Sequence, residues 1–249
     1  MTGVSGRYFK YALGEVILIV VGIIIALQID NWNQYRQDRE KEQVLLSQLH
    51  LEFSAGLQQL EDKMVLRSKL ISSAKWLLER IDQGGPYEKI NPDTLTFHIQ
   101  RTLFGPTFNA NSEGFFLSRD LSLIRNDSLR MLLADWPNKL EQLSEDEKIW
   151  TAYIGTAYQP FLIENYTARN LFNTTLLDMD ALQRVRLDSL GRITTPIGNS
   201  QSDIDIGKLM DNRDFEDHLA FAIFFNNLVN IQAGSIQDLI ERILKQLKT

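Results

Sequence analysis

Tyr11 to Ile29 reads YALGEVILIVVGIIIALQI, and its central part, Val16 to Leu27, carries no polar side chain. Nineteen residues at about 1.5 Å each span roughly 28 Å, close to the hydrocarbon thickness of a bilayer. Tyr8, Tyr11 and Trp32 flank the run where interfacial aromatics belong. The pattern predicts a short tail over 1–10, a transmembrane helix over 11–29 anchored at Tyr11 and Trp32, and a helical soluble domain over 30–249. A cleaved signal peptide shares the basic start (Arg7, Lys10) and the apolar run. It does not share the exit, because Ala26-Leu27-Gln28 is a poor small-x-small cleavage site. A soluble core helix fits the purity of the run poorly. A retained anchor is the expectation.

Within the span, Glu15, Gly22 and Ile29 lie seven apart and share one helix face, and Ala26 follows Gly22 by four. Small residues at that spacing let two helices approach closely. A carboxyl group one turn inside the span is costly against lipid. Packing this face on another helix would shield Glu15; alternatively, Glu15 reaches the headgroups unaided. Both readings stand at this point. The first implies a homo-oligomer or a membrane-protein partner besides the bilayer itself. Lys/Arg counting slightly favours the large domain inside, with Arg7 and Lys10 before the span and Arg36, Arg39 and Lys41 after it. Long domains translocate largely regardless of that tally, and the short basic start suits an uncleaved signal anchor.

The net charge of −6 and pI near 5.2 argue against nucleic acid, which needs a basic face. The chain has no cysteine, which excludes disulfides, thiol nucleophiles and iron–sulfur clusters.

From Trp32 to Gln83 there is no proline and one glycine, Gly56. Leu46, Leu49, Phe53, Leu57, Leu60, Met64, Ile71, Ala74, Leu78 and Ile81 recur at helical steps. The membrane helix is expected to continue into this one and to stop at Gly84-Gly85-Pro86. Asn91-Pro92 opens a short helix to about Phe104. Residues Gly114 to Ile124 suggest a short helix and a turn. Asn126 or Asp127 caps a second long helix to about Glu164, with Pro137 expected to kink or split it and Ser144-x-x-Glu147 as a capping box for a fresh start. Asn165 to Asp211 is the least regular region, with helical potential over Leu176–Leu190. Asn212 caps a final helix whose stripe runs Phe215, Leu219, Ala222, Asn226, Val229, Ala233, Ile236, Ile240, Ile243 and Leu247. The polar Asn226 in that seam is expected to fix register. Together these predict an all-α fold in which the first and last long helices pair antiparallel in a bundle.

Two segments carry a resemblance. Lys10-Tyr-Ala-Leu-Gly-Glu15, the apolar run, and Ala26-Leu-Gln-Ile-Asp-Asn-Trp-Asn33 resemble the opening of a large uncharacterised family of single-pass membrane proteins common in Bacteroidota-type bacteria. That family carries "KYAIGE" and "ALQINNWNE". Leu121-Ser-Leu-Ile-Arg-Asn-Asp-Ser-Leu-Arg130 resembles its "LNLIKNDSLR", and Asp214-Phe215-Glu216 is a looser match. Asp30 stands where the family usually has Asn, and Ser118-Arg119-Asp120 departs from a commoner Ser-Ser-Gly. The resemblance implies a bacterial inner-membrane protein with a periplasmic helical domain. It groups Glu15, Gln28, Asn31, Trp32 and Asn33 as a unit, and it implies no activity.

The side chains offer little chemistry. His50, His98 and His218 fall in no metal-ligand spacing. The acids around His218 are explained by a helix start. Asp203-Ile-Asp205-Ile-Gly207 lacks the third ligand of a calcium loop. Ser144 to Glu147 has the acidic composition of a first turn. The aromatic groups Phe115-Phe116, Trp150 with Tyr153 and Tyr158, and Phe221 with Phe224 and Phe225 are expected in the core, although they could line a pocket. The expectation is a non-enzymatic scaffold or assembly subunit without cofactor or metal. An extracytoplasmic sensory or ligand-binding domain is the alternative, and a hydrolase using His218 or Asp203 is the remote third.

Overall fold

The computed structural model describes residues 5–109, 121–177 and 197–248, with side chains described from residue 13 onward. The described residues are helical, with no strand among them. Helix α1 (Ser5–Gln83) is unbroken over 79 residues, about 118 Å at helical rise. It runs from the apolar segment through Trp32 into the amphipathic stretch without interruption. It ends at Gly84, whose φ of 69° is the left-handed conformation that closes a helix with least strain on glycine.

Asn91 caps α2 (Pro92–Thr102), accepting from the N–H groups of Asp93 (2.8 Å) and Thr94 (3.2 Å). This helix stops two residues earlier than expected, because Leu103 and Phe104 turn back onto the Gln100 and Arg101 carbonyls. A 3₁₀ turn over Leu121–Leu123 leads to α3 (Asp127–Tyr153), capped by the Asn126 side chain on the Leu129 N–H at 3.1 Å. The expected Gly114–Ile124 helix falls mostly outside the described residues, as does most of Leu176–Leu190.

Two expectations for α3 are corrected. Pro137 does not split the helix, and Ser144 does not restart it; both lie inside one continuous element. Pro137 itself is exposed, and Trp136 and Leu143 on either side anchor in one core. The irregularity comes later, as a π turn over Ile154–Tyr158 before α4 (Gln159–Asn165). There Gln159 donates five residues back to Ile154, and Pro160 follows with no N–H to continue the ladder. Helices α5 (Ala168–Leu177) and α6 (Ile206–Met210) precede α7 (Arg213–Leu247), capped by Asn212 on the Asp214 N–H at 2.9 Å.

Helix α7 packs along α1 in the opposite direction. Asn230 donates to the Met64 carbonyl at 3.4 Å, and Gln237 donates to Glu61 at 3.3 Å. Leu78 lies beside Ile223, and Gln246 lies near His50. The stripe Phe215 to Ile243 is buried at every position read from the sequence. Asn226 is buried there, but its amide donates to Ala222 of its own helix at 2.8 Å, so it ties no neighbour into register.

Apolar burial falls into two clusters. One joins Leu49, Phe53 and Leu60 of α1 to Leu133 and Trp136 of α3 and Ile240 of α7. The other, further from the apolar N-terminal segment, joins Leu70 and Leu77 to Leu95, Ile99, Tyr158, Phe215 and Leu219.

Candidate functional site

The segment from Leu13 to Ile29 is exposed throughout, and Trp32 is 65% exposed. Glu15, Gly22, Ala26 and Ile29 project from one face that none of the other described residues covers; a Cβ added at Gly22 would meet no atom within 4 Å. Tyr11 lies in α1, but its side chain falls outside the described residues. Helices α1 and α7 are both long and apolar enough to cross a membrane. They differ in burial. The apolar window of α1 has no buried residue, whereas a third of that of α7 is buried.

Behind the apolar segment, Glu42 ties α1 to the turn before α3. Its carboxylate is 3% exposed, accepts Arg39 at 2.8 Å, and accepts the backbone N–H of Arg125 at 2.8 Å. The Arg125 guanidinium lies 3.9 Å over the Tyr35 ring, and Asn126 donates to Gln246 near the end of α7 at 3.0 Å. Arg130 donates to the Ile124 carbonyl at 3.1 Å and pairs with Asp127. The segment Leu121–Arg130 is thus a corner piece holding α1, α3 and α7 together. A groove opens beside it, lined by Arg39, Gln43, His50, Arg125 and Lys248.

A second polar tie lies between the two apolar clusters. Arg67 of α1 and Glu147 of α3 form a buried ion pair. Arg67 also donates to the Pro106 carbonyl at 3.0 Å, and Glu147 accepts the Phe108 N–H at 3.0 Å on each oxygen. The 103–109 connection is therefore pinned from both sides. Burial pushes the Glu147 carboxyl up to about 7 against the opposing pull of Arg67, the Phe108 N–H and Lys63. Lys63, also buried, is lowered by burial and by Arg67. Arg67 Nη1 has no hydrogen-bond partner among the described residues.

Ser144 to Glu147 is not a first turn: Glu147 is buried within the last two turns of α3. A signal for both partners is present in the sequence. Arg67 lies seven from Leu60 and seven from Ala74, and Glu147 lies between Leu143 and Trp150 at steps of four and three. Each is a charged residue in register with a buried stripe. Glu42 likewise precedes Leu45 and Leu49 at steps of three and four.

Residues 15–136 match the model of a family of unknown function, DUF6090. The matched stretch begins at Glu15 and takes in Gly22, Ala26, Trp32, Glu42, Arg67 and the 121–130 corner. It stops inside α3, before Glu147 and before α7. No curated protein and no solved structure matches the chain.

Two of the histidines, His98 and His218, are packing residues with partners. His98 stacks on Trp76 with ring centroids 4.1 Å apart, and its Nδ1 lies 3.1 Å from Ser73 Oγ. Burial, then Arg101 and Arg80, lowers it to about 4. His218 Nδ1 lies 2.8 Å from the Tyr153 hydroxyl, and its ring stacks on Tyr158 at 4.9 Å. Among the described residues no cluster of three His, Asp or Glu side chains is placed to hold a metal. Asp205 caps α6 through the Lys208 N–H at 2.9 Å. Trp150 and Tyr158 are core residues as expected, but Phe221 and Phe224 are exposed. Phe115 and Phe116 fall outside the described residues.

Proposed function

We propose that the chain is a membrane-anchored helical scaffold or assembly subunit without catalytic function. Its segment 11–29 would cross the bilayer, and its helical domain would lie in the periplasm of a bacterial inner membrane. The observation that carries this reading is the continuity of α1. One uninterrupted helix has an apolar segment exposed over residues 13–29 and, beyond it, a face buried against α3 and α7. An exposed apolar run of this length has no stable place in water. In a bilayer it is satisfied, and the absence of a linker fixes the soluble helices to the membrane helix in orientation. Helix α7 passes the same test of length and composition, but its buried stripe commits it to the soluble pack. The face of Glu15, Gly22, Ala26 and Ile29 is then the contact for a second copy or a membrane partner.

Cross-linking in native membranes followed by affinity purification tests this reading. The expected result is a specific higher-mass species carrying this chain. A strictly monomeric protein with no co-purifying partner would sink it.

A sensory reading draws on the Arg67–Glu147 layer, a buried charged site whose carboxyl is raised to about 7. A thermal-shift screen of small ligands separates the two: a hit whose effect is lost on altering Trp150 or Glu147 would favour sensing over scaffolding.

A further inference from the structure

Leu219 to Gln237 in α7 contains nineteen residues without a charge. One side of this stretch is the buried stripe. The other side is exposed, and it holds the two most exposed large apolar side chains of the helix, Phe224 at 62% and Ile231 at 69%. Ala220, Phe224, Asn227, Ile231 and Gly234 follow one another at steps of four, three, four and three. That is the spacing of a coiled-coil seam, with Phe224 and Ile231 in one core position and Ala220, Asn227 and Gly234 in the other. The seam ends where Asp238 and Glu241 take over the same positions. Leu78 of α1 borders it, so the surface is a shallow apolar groove along α7. Solvated helix faces normally carry charge; this one does not.

We infer that this seam binds the same seam of a second copy, in parallel, about a two-fold axis normal to the membrane. Three features select that occupant. A chain held by one membrane helix meets its copies in a single orientation, and a parallel two-fold brings each seam residue against its own equivalent. The seam is uncharged, so like copies meet without repulsion. Asn227, whose side chain has no hydrogen-bond partner among the described residues, would face its equivalent; an amide both donates and accepts, so two copies satisfy each other.

The seam lies beside residues 64–78 of α1, about 74 Å along the helix from Gly22. At about 100° per residue the Gly22 face is turned about 120–160° from Met64 and Leu78, so the seam contact stands independently of packing at Gly22. Two heptads are short for a free coiled coil. The inference therefore rests on the scaffold reading, in which the membrane helices hold the copies at high effective concentration.

The absence of cysteine makes the test clean, since each single-cysteine variant of the full chain carries one thiol. Oxidation in native membranes should link Phe224→Cys, Asn227→Cys and Ile231→Cys into dimers of twice the chain mass, and should leave Lys139→Cys, exposed on α3, monomeric. Adding Ile231→Lys to Phe224→Cys, which sets like charges across the seam at an exposed site, should cut the dimer yield at least tenfold. If Gly22→Cys links and the three seam positions do not, the seam is wrong and membrane-helix association stands. If neither links, both fall. Linkage of Phe224→Cys to a protein of other mass overturns the second copy as occupant.

Discussion

Arg67 and Glu147, eighty residues apart in sequence, form an ion pair in which both side chains are almost fully buried, at 1% and 3% exposure. They sit where the two apolar clusters meet, and each also grips the 103–109 connection. Burying two charges is costly, and their attraction offsets that cost only when the remaining donors and acceptors are paired. Here Glu147 is fully engaged, whereas one Arg67 nitrogen is not.

Breaking the pair from one side should therefore cost more than replacing both partners. Glu147→Ala leaves the Arg67 charge buried and the Phe108 N–H without an acceptor, at about 3–5 kcal/mol. Arg67→Met combined with Glu147→Leu removes both charges and should recover a large part of that loss. Urea unfolding of the detergent-solubilised chain measures both. Equal losses for the single and the double variant would show that the pair contributes through packing alone.

The titration of Glu147 and His98 gives opposite pH trends. Glu147 is raised in the fold to about 7, so it binds protons more readily folded than unfolded. Its contribution is fully present below about pH 4.5 and is lost as pH rises through 7. His98 is lowered to about 4, so its contribution is present above about pH 6.5 and is lost as pH falls toward 4. Between pH 4.5 and 6.5 the two oppose each other. Relative to the native chain, Glu147→Gln should make Tm climb more with pH across this window. His98→Phe should make it climb less or fall. Identical slopes in all three proteins would exclude both assignments.

The continuity of α1 makes helical phase a test of coupling. Alanines inserted between Asn33 and Gln34, in the exposed stretch, rotate the face of Glu15 and Gly22 about 100° each relative to the packed part of α1. Two insertions turn it by about 200°; seven return it to within about 20°. Two insertions should change the yields of Gly22→Cys and Phe224→Cys disulfides relative to the native spacing, and seven should restore them. Indifference to insertion length would mean that the helix does not transmit orientation.

Much of this arrangement was legible in the sequence. Caps with a side-chain mechanism were found where expected at Asn91, Asn126 and Asn212, because each needs only local geometry. The stripe of α7 was read residue by residue, since few breakers interrupt its period. On α1 the buried face also takes in Leu45, Leu66, Leu70 and Leu77, which were not in the stripe as read. What stayed hidden was tertiary. A proline or a Ser-x-x-Glu pattern breaks a helix only if the surroundings let it, and for Pro137 and Ser144 the core on both sides did not. Arg67, Glu147 and Glu42 look like ordinary helix charges until their register with the buried stripes is noticed. Phe221 and Phe224 are exposed although aromatic residues at helical spacing usually pack in a core.

Glu42 offers the sharpest local test of the corner piece. Its carboxylate takes the Arg125 N–H just ahead of the Asn126 cap, and Asn126 in turn reaches Gln246. Glu42→Ala leaves that N–H without its acceptor and removes the partner of Arg39 and Arg125, at about 1–3 kcal/mol. Glu42→Gln keeps an acceptor oxygen in place and should cost less. Hydrogen exchange distinguishes a local from a global effect. In Glu42→Ala the amides of Arg125 and Leu129 and those at the end of α7 should exchange at least tenfold faster, while amides around Leu95 and Ile99 in the far cluster stay protected. Uniform acceleration across both clusters would mean that Glu42 supports the whole fold and not this corner.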